Sequence, residues 1–127
     1  MAEIRPLGTI NIEPLKKEFG KIQTAEIIIT DERVRHIKER HLQDYELFEK
    51  YGIWCVQAPD IILKDGKNAG TVFMIKKLPD TNLNVVVRVA LEQDDVGLKN
   101  SVMTFYRMRE KNLKKLMEKN TLLYKKE

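Results

Sequence analysis

The chain has 127 residues, a net charge of +4, and 43% hydrophobic against 33% charged residues. That size and balance fit one domain with its own core and exclude disorder along the whole chain. One cysteine, Cys55, and two histidines, His36 and His41, exclude a disulfide framework and a Cys/His metal cluster.

In chain order, residues 8–12 (GTINI) predict a short edge strand, and 13–18 a brief turn of helix. The β-branched run 26–30 (EIIIT) predicts a strand or an extended lead-in. Thr30 then stands as a natural N-cap, with Asp31 and Glu32 in the first turn, where the helix dipole favours acids. Val34, Ile37, His41, Tyr45 and Phe48 recur at helical spacing, and Gly52 marks the expected end of this helix. The apolar run 53–58 (IWCVQA) follows, and Cys55 within it reads as a small core residue rather than a nucleophile.

Four segments then have strand character: 60–64, 71–77, 84–91 and 100–106. Their separators carry turn chemistry (Lys64-Asp65-Gly66, Leu78-Pro79-Asp80, Asp94-Asp95-Val96-Gly97), which predicts an antiparallel meander. A helix returns over about 108–119, with Leu113, Leu116 and Met117 on one face and Asn120 as its stop. The expected fold class is therefore α+β. A helical N-terminal region leads into an antiparallel sheet of about four strands and a C-terminal helix, all in one domain.

Residues 107–127 carry more than the whole net positive charge, leaving the remainder slightly acidic. This tail reads either as a solvated helix face or as a surface facing nucleic acid. No apolar run approaches the ~20 residues that span a bilayer, and the N-terminus lacks the basic start and apolar core of a signal peptide. A cytoplasmic protein without membrane contact is expected.

Arg88 is the most informative single residue. The period of two puts Val85, Val87, Val89 and Leu91 on one face of their strand and Val86, Arg88 and Ala90 on the other. An arginine between valines needs an acidic partner, a phosphate, or a route to water. In the last strand the same period groups Val102, Thr104 and Tyr106. If these share the Arg88 face, a guanidinium, a hydroxyl and a stackable ring meet, a set suited to a phosphodiester and a base.

The segment 33–41 (RVRHIKERH) holds both histidines. On a straight helix His41 falls in the stripe of Val34, Ile37 and Tyr45, while His36 lies nearly opposite and shares a face with Arg40. His41 is either packed near Asp44 or pressed against the sheet beside Arg88, and His36 is exposed by default. On such a helix the two do not work as a pair. Nothing supports a phosphate loop, a metal-dependent nuclease or a hydrolase triad.

Several short motifs occur in a telling order: ITDER (29–33), HIKERH (36–41), APD (58–60), VVVR (85–88), KNSVMT (99–104) and LYKKE (123–127). In this the chain resembles the phage-associated domains classed as barnase–EndoU–colicin–RelE-like nucleases, from about Gly8 to Glu127. The resemblance implies a phage or prophage protein that cleaves RNA without metal or other cofactor. A base would activate the ribose 2′-hydroxyl, an acid would protonate the leaving oxygen, and cations would steady the phosphate.

Carried over residue by residue, the resemblance points to His41 as acid or base, Arg88 as phosphate clamp and Thr104 as a positioning hydroxyl. His36 is a further catalytic candidate, and Arg40, Ser101 and Tyr106 are substrate-binding candidates. The expected partner is RNA, tRNA included, with a phage structural or inhibitor protein as a second class. The alternative is an inactive RNA-binding or virion-associated module on the same fold.

Overall fold

The computed structural model describes residues 3–127. Its elements are β1 (Ile4–Thr9), α1 (Glu13–Phe19), β2 (Glu26–Thr30), α2 (Asp31–Arg40), α3 (Leu42–Gln57), β3 (Ile61–Lys64), β4 (Thr71–Lys77), β5 (Asn82–Arg88), β6 (Asn100–Met108), α4 (Glu110–Lys119) and β7 (Thr121–Lys125). The strands form one seven-stranded sheet in the order β1-β2-β6-β5-β4-β3-β7.

This corrects the expected sheet of about four antiparallel strands. The sheet is mixed, because β2 runs parallel to β6, and the four helices are interspersed among the strands. The meander β3 to β6 forms its centre. The run 26–30 is strand β2, and the edge strand expected at 8–12 lies earlier, as β1 over Ile4–Thr9, which contains Pro6 and a bulge next to Gly8; β7 lies inside the basic tail, where no strand was expected. β1 and β7 are edge strands, where short length, proline and lysine are tolerated because one side forms no ladder.

The core has two parts. One face of the sheet packs against α1, α2 and α3 through side chains such as Leu15, Val34, Ile37, Phe48 and Val56. The other carries a smaller cluster (Ile61, Leu63, Phe73, Ile75, Val86, Met108) closed by Leu113 of α4. Strands β4 and β5 are thus buried on both faces, which explains runs such as Val85-Val86-Val87 in place of strict alternation.

Two expectations about the first long helix need correction. Gly52 does not end it; α3 continues to Gln57, so 53–58 is largely helical. Nor is it one helix. It breaks at His41, whose φ of −140° and ψ of 68° make it both the end of α2 and the start of α3. Tertiary packing decides this, since neither glycine nor proline stands there. Thr30 caps α2 as expected, its hydroxyl accepting from the Arg33 amide at 3.3 Å.

Candidate active site

Strand β2 pairs with β6 over only two positions, Ile27 with Asn100 and Ile28 with Ser101. The chain then turns out of the sheet at Thr30 and enters α2. Beyond Ser101 the neighbour of β6 is therefore a helix, and a cavity of about 460 Å³ opens between them. Asn100 anchors this junction. Fully buried, it donates from Nδ2 to the carbonyls of Thr24 and Glu26 and accepts the Ala90 amide at 2.7 Å.

His36, Arg40 and His41 line the cavity together with Thr104 of β6. Four of the candidate residues therefore meet there. His41, at the junction of α2 and α3, lines the cavity with His36. Thr30, Glu32, Arg33 and Ile37 complete the lining. The charged members fall on two helical rows, 32–36–40 and 33–37–41, with four-residue steps that bring side chains onto one face. That spacing was the available signal for Glu32 and Arg33, which reading the histidines alone passes over.

The cavity holds two imidazoles, two guanidiniums and one carboxylate, all on exposed residues. Among the described residues, none of these five side chains joins an ion pair, although ion pairs are formed elsewhere.

The other candidates are placed elsewhere. Arg88 follows the Arg–acid alternative. Its guanidinium bonds Asp94 at 2.9 Å, donates to the Val89 carbonyl and lies over Gly70. The carboxyl of Asp94 is held below its ordinary range by the Leu91 amide and by Arg88. Ser101 pairs with Arg88 across the strands, and its hydroxyl meets only the Met103 sulfur, at 3.8 Å. The Tyr106 hydroxyl accepts from Asn84 at 3.0 Å, and the residue packs against the α4-side core.

The expected grouping of Val102 with Thr104 fails at a bulge. Val87 pairs with Val102 but Val86 with Thr104, so Met103 is an extra residue and the alternation shifts. Thr104 and Tyr106 do share a face with Val86 and Arg88, as strand pairing requires, but only Thr104 lines the cavity.

Cys55 behaves as the sequence suggested. It is fully buried, its thiol donates to the Met74 carbonyl at 3.2 Å, and burial pushes its pKa up, away from thiolate chemistry. Among the described residues no three His, Cys, Asp or Glu side chains gather in a metal-binding arrangement, and no helix is long and apolar enough to cross a membrane. Comparison with protein-family models, curated proteins and solved structures returns no match. Fold and site alone define the class: an α+β protein with a histidine–arginine cavity between α2 and β6, where β2 leaves the sheet.

Proposed function

We propose that the chain is a metal-independent endoribonuclease acting at the α2–β6 cavity. The carrying observation is that both histidines line one cavity together with Arg33 and Arg40. Imidazole both takes and gives protons near neutral pH, so two of them supply a base and an acid for one turnover.

In this reading one imidazole removes the 2′-hydroxyl proton, and the ribose oxygen attacks the adjacent phosphorus. The P–O5′ bond breaks, and the imidazolium of the other histidine protonates the departing oxygen. The products are a 2′,3′-cyclic phosphate and a 5′-hydroxyl. Arg33 and Arg40 hold the phosphoryl oxygens as negative charge builds, which a guanidinium fork does bidentately. Thr104 offers a hydroxyl for positioning. Arg88, committed to Asp94, is a structural residue in this scheme. The motif resemblance to phage-associated nucleases supports the same chemistry without adding a contact.

The test is incubation with total RNA and tRNA in excess EDTA. The wild type is compared with a His36→Ala/His41→Ala double variant and with Arg88→Lys, which lies outside the cavity. Cleavage leaving 2′,3′-cyclic ends is expected from the wild type and Arg88→Lys. The double variant should lose at least 10²-fold, the lower range for one acid–base group. Salt-dependent RNA binding without cleavage would replace the enzyme with an RNA-binding module. Neither cleavage nor binding would refute both.

A further inference from the structure

The α2–β6 cavity makes no use of the strongly basic segment 107–127. Within that segment α4 buries Leu113 and packs Leu116 and Met117 against the smaller core. The helical period then turns Lys111, Lys114, Lys115 and Lys119 to the opposite side, and all four are exposed. Glu118 is the one carboxylate on that face. Among the described residues none of these four lysines joins an ion pair, whereas Lys16, Lys64, Lys76, Lys77 and Lys99 all do. Glu110, at the start of α4, is engaged by Lys77 and Asn82.

The helix gains little from this row. Lys111, Lys115 and Lys119 follow one another by four residues, about 6 Å along the axis, and like charges at that spacing repel. Lys119 suits the C-terminal end of the helix dipole, but Lys111 stands in the first turn, where a cation is disfavoured. A row of cations that opposes its own helix is explained by a ligand carrying the opposite charge at repeated intervals.

A membrane-surface helix sinks its apolar face among the headgroups, and α4 has that face turned into the core. Protein interfaces centre on aromatic and apolar anchors and are poor in lysine. None of the exposed large apolar side chains belongs to α4. A nucleic-acid backbone asks for neither feature, only for cations along its phosphates. Thr104, which lines the cavity, shares a sheet face with Val86, a member of the cluster that α4 closes. A strand leaving the cavity on that side runs toward α4.

We infer that the outer face of α4 is a second RNA contact, where Lys111, Lys114, Lys115 and Lys119 hold backbone phosphates of a strand whose reacting nucleotide lies in the cavity. The assignment rests on the reading of the chain as an RNA protein, and it adds a surface outside the cavity that favours long substrates over short ones. These lysines touch no reacting atom; they supply affinity without reading sequence.

The experiment measures binding of a 2′-O-methyl RNA strand of about 20 nucleotides, which has no nucleophile to cleave, over a series of salt concentrations. The wild type is compared with a variant carrying Lys111→Gln, Lys114→Gln, Lys115→Gln and Lys119→Gln. Glutamine keeps a helix propensity close to that of lysine, so the variant should fold and unfold as the wild type does. Its slope of log affinity against log salt should be shallower by about 3, since each phosphate contact on a single strand contributes about 0.7. Lys17, Lys21, Lys50 and Lys67 are exposed elsewhere, and their glutamine variant, which removes the same charge, should keep the wild-type slope. Cleavage of the dinucleotide ApU should be unaffected by the α4 changes, whereas cleavage of the all-ribose strand should weaken through a higher KM.

A slope unchanged in the α4 variant, an equal loss in the control, or α4-dependent binding to phosphatidylglycerol vesicles in place of RNA would each overturn the inference. Lysine-dependent binding by a wild type that cleaves neither substrate keeps this surface and removes the enzyme. Cleavage of ApU with a slope indifferent to the α4 lysines does the reverse.

Discussion

Replacing Gly52 with alanine sets two well-measured effects against each other. A glycine inside a helix is less favourable than alanine by about 0.5–1 kcal/mol, because its backbone loses more freedom on folding. On propensity alone, Gly52→Ala would stabilise α3. The structure opposes this. A Cβ at position 52 would lie 2.6 Å from Cδ1 and 2.7 Å from Cε1 of Phe48, one turn earlier. That ring has little room to retreat, since it is buried and stacked on Phe105 with centroids 4.0 Å apart and planes 11° from parallel. Forcing a methyl into a packed core costs about 1–3 kcal/mol.

The clash exceeds the propensity gain, so a net loss of about 1–2 kcal/mol is expected, or roughly 3–8 °C in Tm for a domain of this size. Urea and thermal unfolding of the single variant measure it, and a double-mutant cycle with Phe48→Ala assigns the cause. Without the ring, the same Gly52→Ala change should turn stabilising by about 0.5–1 kcal/mol. A higher Tm in the wild-type background would mean that the ring yields freely, and the packing argument for α3 would be wrong.

Gly70→Ala should also destabilise, by about 1–2 kcal/mol for the backbone alone, because φ is +73° and the new Cβ would sit 2.5 Å from Arg88 Nη1. Any RNA cleavage should survive this change at temperatures where the variant is folded, since Arg88 lies outside the cavity; selective loss of activity would return Arg88 to the site. Cys55 should resist iodoacetamide at pH 8 in the native protein and react on a timescale set by unfolding, and prompt labelling would contradict its burial. Asp94 sits below its ordinary 3.8 because of the Leu91 amide and then Arg88. A depressed carboxyl contributes stability that is present above pH 3.8 and lost as the pH falls through the lower folded-state value. Asp94→Asn should therefore lower Tm at neutral pH, with the difference from wild type shrinking in acid; a constant difference would refute the linkage.

The parts of the fold legible in the sequence are those where one local signal had no competitor. Thr30 caps a helix because its hydroxyl reaches an orphan amide, and Asn120 stops one, its side chain donating to the Leu116 carbonyl. The valine strand is unmistakable because both faces are buried. β7 could not be read, since Thr121–Lys125 holds lysine and leucine that suit a helix as well as an edge strand; its place is set by pairing with β3, more than fifty residues earlier. The bulge at Met103 is equally silent, because nothing in Val-Met-Thr marks an extra residue.

The break at His41 shows why the site was only half legible. The apolar rhythm Val34, Ile37, Tyr45, Phe48 passes across it without a phase error, so periodicity can describe only one continuous helix. Length supplies the missing constraint. Helices α2 and α3 have 10 and 16 residues, and joined through His41 they would reach roughly 40 Å at 1.5 Å per residue. The longest strand, β6, has 9 residues, or roughly 30 Å. An unbroken helix would leave a turn or more of its apolar stripe beyond the sheet, exposed to water. With the break at one residue, Val34 and Ile37 are buried along with Phe48 and Val56. The residue that takes the non-helical conformation is His41, which lines the cavity with His36. The candidate site therefore includes the junction at which two helices are fitted onto a short sheet.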